Sequence, residues 1–174
     1  MKRMLGLVAA VMIAPAATAQ DYPHVLSVDG IGNIKIGMNP EMMERYLHEK
    51  TPYNQFANHG CSQFTTQKLE PTGISFMMEK KRLTRINVEF YGTDPRPLAV
   101  KTEAGIGLGS AEEDVLKAYP GAIIKANPAD PTWHTVVAET PDHSRGLIFE
   151  TDGKTVKSMR AGENPAIAYI NGCS

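Results

Sequence analysis

Cys61 and Cys173 are the only cysteines in the chain. Joined, they would close a loop of 112 positions and stabilise the fold by roughly 4–5 kcal/mol through the unfolded chain. The alternatives are a reactive thiol, with His59 two residues from Cys61 as a base, or a metal ligand. The five histidines, His24, His48, His59, His134 and His143, are scattered near loop and helix ends. No Gly-x-Ser-x-Gly elbow offers them a nucleophile. Methionines cluster at Met38, Met42 and Met43 and again at Met77 and Met78. Thioethers are soft donors that suit Cu(I), and they are equally good fillers of irregular cores. No His-x-x-x-His, Cys-x-x-Cys or clustered carboxylates support a harder metal site. Gly105-Ile106-Gly107-Leu108-Gly109-Ser110 has the look of a phosphate loop, but no Gly-Lys-Ser/Thr follows. A turn before a capped helix accounts for it. The aromatics outside any core pattern are Tyr53, Phe56, Tyr91 and Trp133, the last followed by His134. Such side chains anchor protein interfaces and sugar sites, or fold back onto the core. These five residues are the candidate binding surface. No catalytic residue and no metal ligand is assigned, and no cofactor is expected.

The compartment narrows the chemistry. Lys2 and Arg3 precede an apolar run from Met4 to Ala14, and Ala17-Thr18-Ala19 follows Pro15. These are the charged, apolar and cleavage regions of a secretory signal peptide over residues 1–19. The mature chain is then 20–174, expected in the periplasm or secreted. An oxidising compartment favours the disulfide between Cys61 and Cys173. No cysteine stands near the cleavage site to carry a lipid, so the mature chain is expected to have no membrane anchor. No later apolar run approaches about 18 residues, the length a spanning helix needs. The formal charge of −1 becomes more negative once Lys2 and Arg3 are removed. That argues against nucleic acid as a partner, which calls for a strongly basic field. Hydrophobic residues at 42% are enough for a folded core rather than a disordered chain.

The elements that would position these residues come in two matching sets. Ile34-Lys35-Ile36-Gly37, with Met43 and Leu47 beyond, falls on Ile106-Gly107-Leu108-Gly109, with Val115 and Tyr119 beyond. Further on, Phe76, Lys81, Leu83 and Ile86 fall on Phe149, Lys154, Val156 and Met159. Each half reads as an extended segment, a glycine, a short helix and a β-hairpin. Asn39 caps the first helix, with Pro40 at its first position. Ser110 and Glu113 form a capping box for the second. The helices stop near Thr51-Pro52 and near Tyr119-Pro120-Gly121. Asp152-Gly153 predicts a two-residue hairpin turn, and Glu79-Lys80-Lys81 takes the equivalent place. The loop from Gly92 to Pro97 separates the halves, and Asn127-Pro128-Ala129-Asp130-Pro131 leads into a strand from Trp133 to Glu139. Units this small bury too little alone. The expected fold is α+β: one domain of two repeats, about 31–91 and 103–161, forming a shared antiparallel sheet with both helices on one face.

The Ile-x-x-Gly-Met pattern leading into a short helix and a hairpin, used twice, resembles the tandem-repeat fold of β-lactamase inhibitory proteins. It is similar also to the single-unit outer-membrane assembly lipoproteins of the BamE (SmpA/OmlA) type. The residues that carry this are Ile36-Gly37-Met38 in the first unit and Leu108-Gly109-Ser110 with Val115 in the second. The tail Gly172-Cys173-Ser174 also looks like that of a set of exported bacterial proteins. The resemblance implies a module that binds other proteins, without catalytic residues or cofactor. Two departures stand out. BamE-type proteins carry a lipid on an N-terminal cysteine, and the inhibitory proteins place a disulfide within each repeat. The leading expectation is an exported protein-binding module, an inhibitor of an envelope hydrolase or an envelope assembly factor. The second is a periplasmic copper or small-ligand binding protein using the methionine cluster.

Overall fold

The computed structural model describes residues 25–89 and 100–173. The expected signal peptide, Tyr91 and the loop between the halves lie outside the described residues.

Short extended pieces open the chain. β1 (Val25–Ser27), β2 (Gly30–Ile31) and β3 (Ile34–Lys35) form a tight antiparallel meander. β7 (Lys101–Thr102) adds in parallel to β1 and completes a four-stranded mixed sheet. The large sheet follows from longer apolar runs. It contains β4 (Cys61–Phe64), β5 (Ile74–Glu79), β6 (Arg82–Glu89), β8 (Ile123–Ala126), β9 (His134–Glu139), β10 (Arg145–Thr151) and β11 (Val156–Glu163). All its pairings are antiparallel, in the order β4-β5-β6-β11-β10-β9-β8. The two long hairpins, β5–β6 and β10–β11, meet along the β6–β11 seam. A Cβ on Gly162 would come within 2.5 Å of the Thr84 carbonyl oxygen there, so the seam needs glycine.

The expected α+β class is overturned. The described residues are mostly β, 40% strand against 18% helical, and they are not a pair of helix-on-face repeats. Among the described residues there are two α-helices, α1 (Pro40–Leu47) and α2 (Glu112–Ala118), each barely two turns. α1 buries Pro40 and Met43, and α2 only Val115. The small sheet shares the inner side of the large one and supplies Leu26, Ile31 and Ile34 to the same core. β3 falls in the extended segment expected at Ile34–Gly37, and the other strands of this sheet are too short for alternation to reveal them in the sequence.

Local chemistry explains the helix starts. The Asn39 side chain accepts the Met42 N–H at 2.8 Å, and Pro40 sits in the first turn, as expected. α1 ends at His48 in the left-handed region, with φ 51. The capping box of α2 does not form. Ser110 Oγ instead accepts the Gly107 N–H at 3.0 Å, closing the glycine turn. Ala111 becomes the N-cap without a side-chain bond. Glu112, Glu113 and Asp114 place negative charge in that first turn, which favours the helix dipole.

The first hairpin turns where expected, within Glu79-Lys80-Lys81, and the second departs from expectation. The tight turn is at Lys80 and Lys81, with φ 49 and 64. In β10–β11 the loop runs from Asp152 to Thr155. There Asp152 Oδ1 accepts the N–H groups of Lys154 at 3.1 Å and Thr155 at 2.8 Å. An aspartate that can bond its own following backbone makes the longer loop favourable.

The inner face of the large sheet carries the core as cross-strand rows. One runs Phe64, Phe76, Ile86, Ala161, Leu147, Ala138; the next runs Ile74, Val88, Met159, Phe149, Val136, Ile124. Phe76 and Phe149 are fully buried, each contributing roughly 2–3 kcal/mol by burial. The loops before the helices dock on the starts of β6 and β11 in the same way. Gly37 N–H donates to Leu83 O at 2.8 Å and Leu83 N–H to Met38 O at 2.8 Å; Gly109 N–H donates to Val156 O at 2.8 Å and Val156 N–H to Ser110 O at 2.9 Å.

Candidate functional site

The five candidate surface residues do not form one surface. Tyr53 packs partly against the core, and its hydroxyl accepts the Lys81 N–H at 3.0 Å. Phe56, 86% exposed, lies in the same loop, and the two line a shallow groove with Pro40, Glu44 and Lys81. Trp133 and His134 instead enter β9, beside the far edge strand β8. Tyr91 lies outside the described residues. The paired aromatics therefore serve two separate regions, one near the β5–β6 turn and one near β8.

His134 belongs to a small polar cluster that the sequence did not announce. Glu112 opens α2, and its carboxylate oxygens lie 2.8 and 3.0 Å from His134 Nδ1. The same carboxylate accepts the hydroxyl of the buried Thr151 at the end of β10. Glu112 N–H donates to Lys154 O at 2.8 Å. A carboxylate that fixes an imidazole is half of a general-base arrangement. Among the described residues, no hydroxyl or thiol is hydrogen-bonded to the other ring nitrogen, and no three His, Cys, Asp or Glu side chains gather as a metal site. What the cluster does here is tie α2 to β9 and β10.

The methionines are core residues. Met38, Met43, Met77 and Met78 are buried and Met42 is half-buried. Lys35 N–H points at Met38 Sδ from 3.4 Å. Met38, Met43 and Met78 fill the shared core, while Met77 lies in register with Arg85 on the other face of the sheet, so the thioethers do not converge on an open site.

The cysteines are joined. Sγ atoms of Cys61 and Cys173 lie 2.01 Å apart, with their Cα atoms 5.5 Å apart. This bond fastens a C-terminal strap across the outer face of the large sheet. The turn Ala166–Ala168 buries Ala166 and Ile167 against that face. Arg85 of β6, only 3% exposed, donates through Nη1 to Tyr169 O at 2.7 Å and Ala166 O at 3.3 Å. Burial, with help from the nearby Arg160 charge, pulls the Arg85 guanidinium down to about 10.

Among the described residues, nothing covers the large sheet's other edge. All four residues of β8 are exposed, with Ile123 at 59% and Ile124 at 42%. Trp133, 39% exposed, adjoins them: its carbonyl accepts the Asn127 N–H at 2.8 Å. Ile124 is the outermost residue of the row that includes Phe149 and Val136. Sequence reasoning missed β8. Its only signal is the pair Ile123-Ile124 before a proline-rich loop, too short for periodicity to act on. Exposed apolar residues on an open strand edge mark a place where another chain can pair.

No family model, curated protein or solved structure matches this chain.

Proposed function

We propose that this chain is exported to the periplasm or beyond and works by binding another protein, as an inhibitor of an envelope hydrolase or as an assembly factor for the envelope. The observation that carries the reading is the β8 edge, where Ile123, Ile124 and Trp133 are exposed together beside a strand backbone that no other strand takes among the described residues. Aromatic and aliphatic anchors grouped in this way supply most of the binding energy in protein interfaces. The alternative, copper or small-ligand binding through methionine, gains no support from thioethers that are buried in the core.

The test is capture of envelope proteins on the immobilised exported protein, comparing the natural chain with a Trp133→Ala, Ile124→Asp variant. The reading expects one defined protein retained by the first and lost by the second. Failure to retain any protein across several growth conditions, or equal retention by both chains, removes its support.

A further inference from the structure

The backbone of β8 specifies the shape of its partner. Asn127 N–H donates to Trp133 O, so these two residues form a hydrogen-bonded pair in the ladder. Antiparallel ladders alternate. Lys125–Thr135 and Ile123–Val137 are then hydrogen-bonded pairs too, and the N–H and C=O groups of Ile124 and Ala126 point away from β9. Among the described residues no strand takes them. Those four groups form a short template for one more strand.

The side chains specify its chemistry. Ile124 and Ala126 lie on the inner face, in register with Val136 and His134. A residue added opposite Ile124 would extend the apolar row. Lys125 lies on the outer face between them. Glu150 is already held by Arg160 at 2.8 Å and Thr135 at 2.9 Å, and Glu139, whose carboxylate feels the Lys125 charge, is bonded to His143 at 2.6 Å and Asn164 at 3.1 Å, so Lys125 is available to a newcomer. Its direct opposite would stand in the close, non-hydrogen-bonded position, where an opposite charge is favourable.

A second copy of the chain fits poorly. Pairing β8 with itself through the same four groups sets Ile124 against the copy's Ala126, and Lys125 against the copy's Lys125. Like charges directly opposed are destabilising, and an edge lysine is a common guard against self-pairing. A register centred on Ile124 escapes that clash but sets Ala126 against Ala122. The Ala122 N–H is already donated to Tyr119 O at 2.9 Å.

We propose that β8 is the docking edge for an extended segment of another protein, added as an antiparallel strand whose residues facing Ala126, Lys125 and Ile124 read apolar, acidic, apolar. This rests on the binding reading above and names its partner's chemistry. Main-chain bonds would supply affinity, and the alternating side chains selectivity.

The probe is a capped Thr-Val-Glu-Val-Thr peptide against its Thr-Val-Lys-Val-Thr counterpart, titrated at millimolar concentration into the isotope-labelled exported protein by NMR. The proposal expects saturable shifts at the Ile124, Lys125 and Ala126 amides, with the lysine peptide about fivefold weaker. Lys125→Glu should reverse that preference. Ala126→Pro removes only an outward N–H, which edge strands tolerate, and should abolish binding while the spectrum stays folded. Equal binding of the two peptides, shifts confined to other regions, or no binding of either peptide would each overturn the proposal. Concentration-dependent sedimentation lost in Ala126→Pro would assign the edge to a second copy and overturn it too. If envelope capture retains a partner equally on the natural chain and Ala126→Pro, protein binding stands and the strand edge falls. If neither peptide nor partner binds, both fall.

Discussion

The large sheet ends in two unlike edges. At β4, Phe64 is buried and packs on Phe76 with ring centroids 5.9 Å apart, and Ser62 is buried beside the loop that carries Tyr53. Cys61 is bonded to Cys173, and Asn58 Nδ2 donates to Cys173 O at 2.5 Å. At β8 every residue is exposed. An open edge with isoleucines invites unwanted pairing. This chain ties down the β4 end of the sheet with a disulfide, a strap and an aromatic pair, and among the described residues leaves the side chains of β8 exposed. The contrast is what directs the functional reading to β8.

The contrast can be broken most severely at the closed edge. Replacing Cys61 and Cys173 with serine should lower stability by about 4 kcal/mol, because the closed loop is long; urea unfolding with and without reductant measures it. Equal midpoints in both would mean the strap holds itself. Phe64→Ala should cost about 3 kcal/mol by leaving a cavity against Phe76. Arg85→Leu removes the donor that the Ala166 and Tyr169 carbonyls share, and should cost about 2 kcal/mol, with faster hydrogen exchange in the strap. Ile124→Ala, by contrast, should cost less than about 1 kcal/mol, since that side chain is already wet. A loss there as large as at Phe64 would show β8 to be as integral to the core as β4.

The smallest effect lies between the edges. Burial raises the Glu89 carboxyl above its usual range, with the Arg85 and Arg160 charges opposing. A carboxyl whose folded value is raised favours the native state fully below its unfolded value and loses that contribution as pH climbs through the folded one. Glu89→Gln should therefore raise the melting temperature at neutral pH, and the difference should fade as pH falls toward the ordinary glutamate range. A difference that grows on acidification would contradict the burial argument.

Several features were legible in the sequence because local rules govern them. Two cysteines allow only one intramolecular pairing, and it is the one made. Asn39-Pro40 starts α1 because the cap bond joins neighbours in the chain. Alternating apolar residues place β5, β6, β10 and β11, and these hairpins do share one antiparallel sheet. Where competing partners exist, local rules fail. Ser110 could cap α2 or close the glycine turn, and it closes the turn. Asp152-Gly153 could make a two-residue turn, but the aspartate has better use for its carboxylate in a longer one.

By itself the sequence determined the disulfide partners, the first helix start and the buried faces of the long strands, since each depends on residue type and near-neighbour spacing. Tertiary structure alone decided the balance of strand over helix, the burial of the methionines, the Arg85 anchor and the division of the aromatics between two regions. Apart from β3, the strands of two to four residues carry too little pattern to be read, and they form where the long hairpins offer them a core to cover and an edge to join.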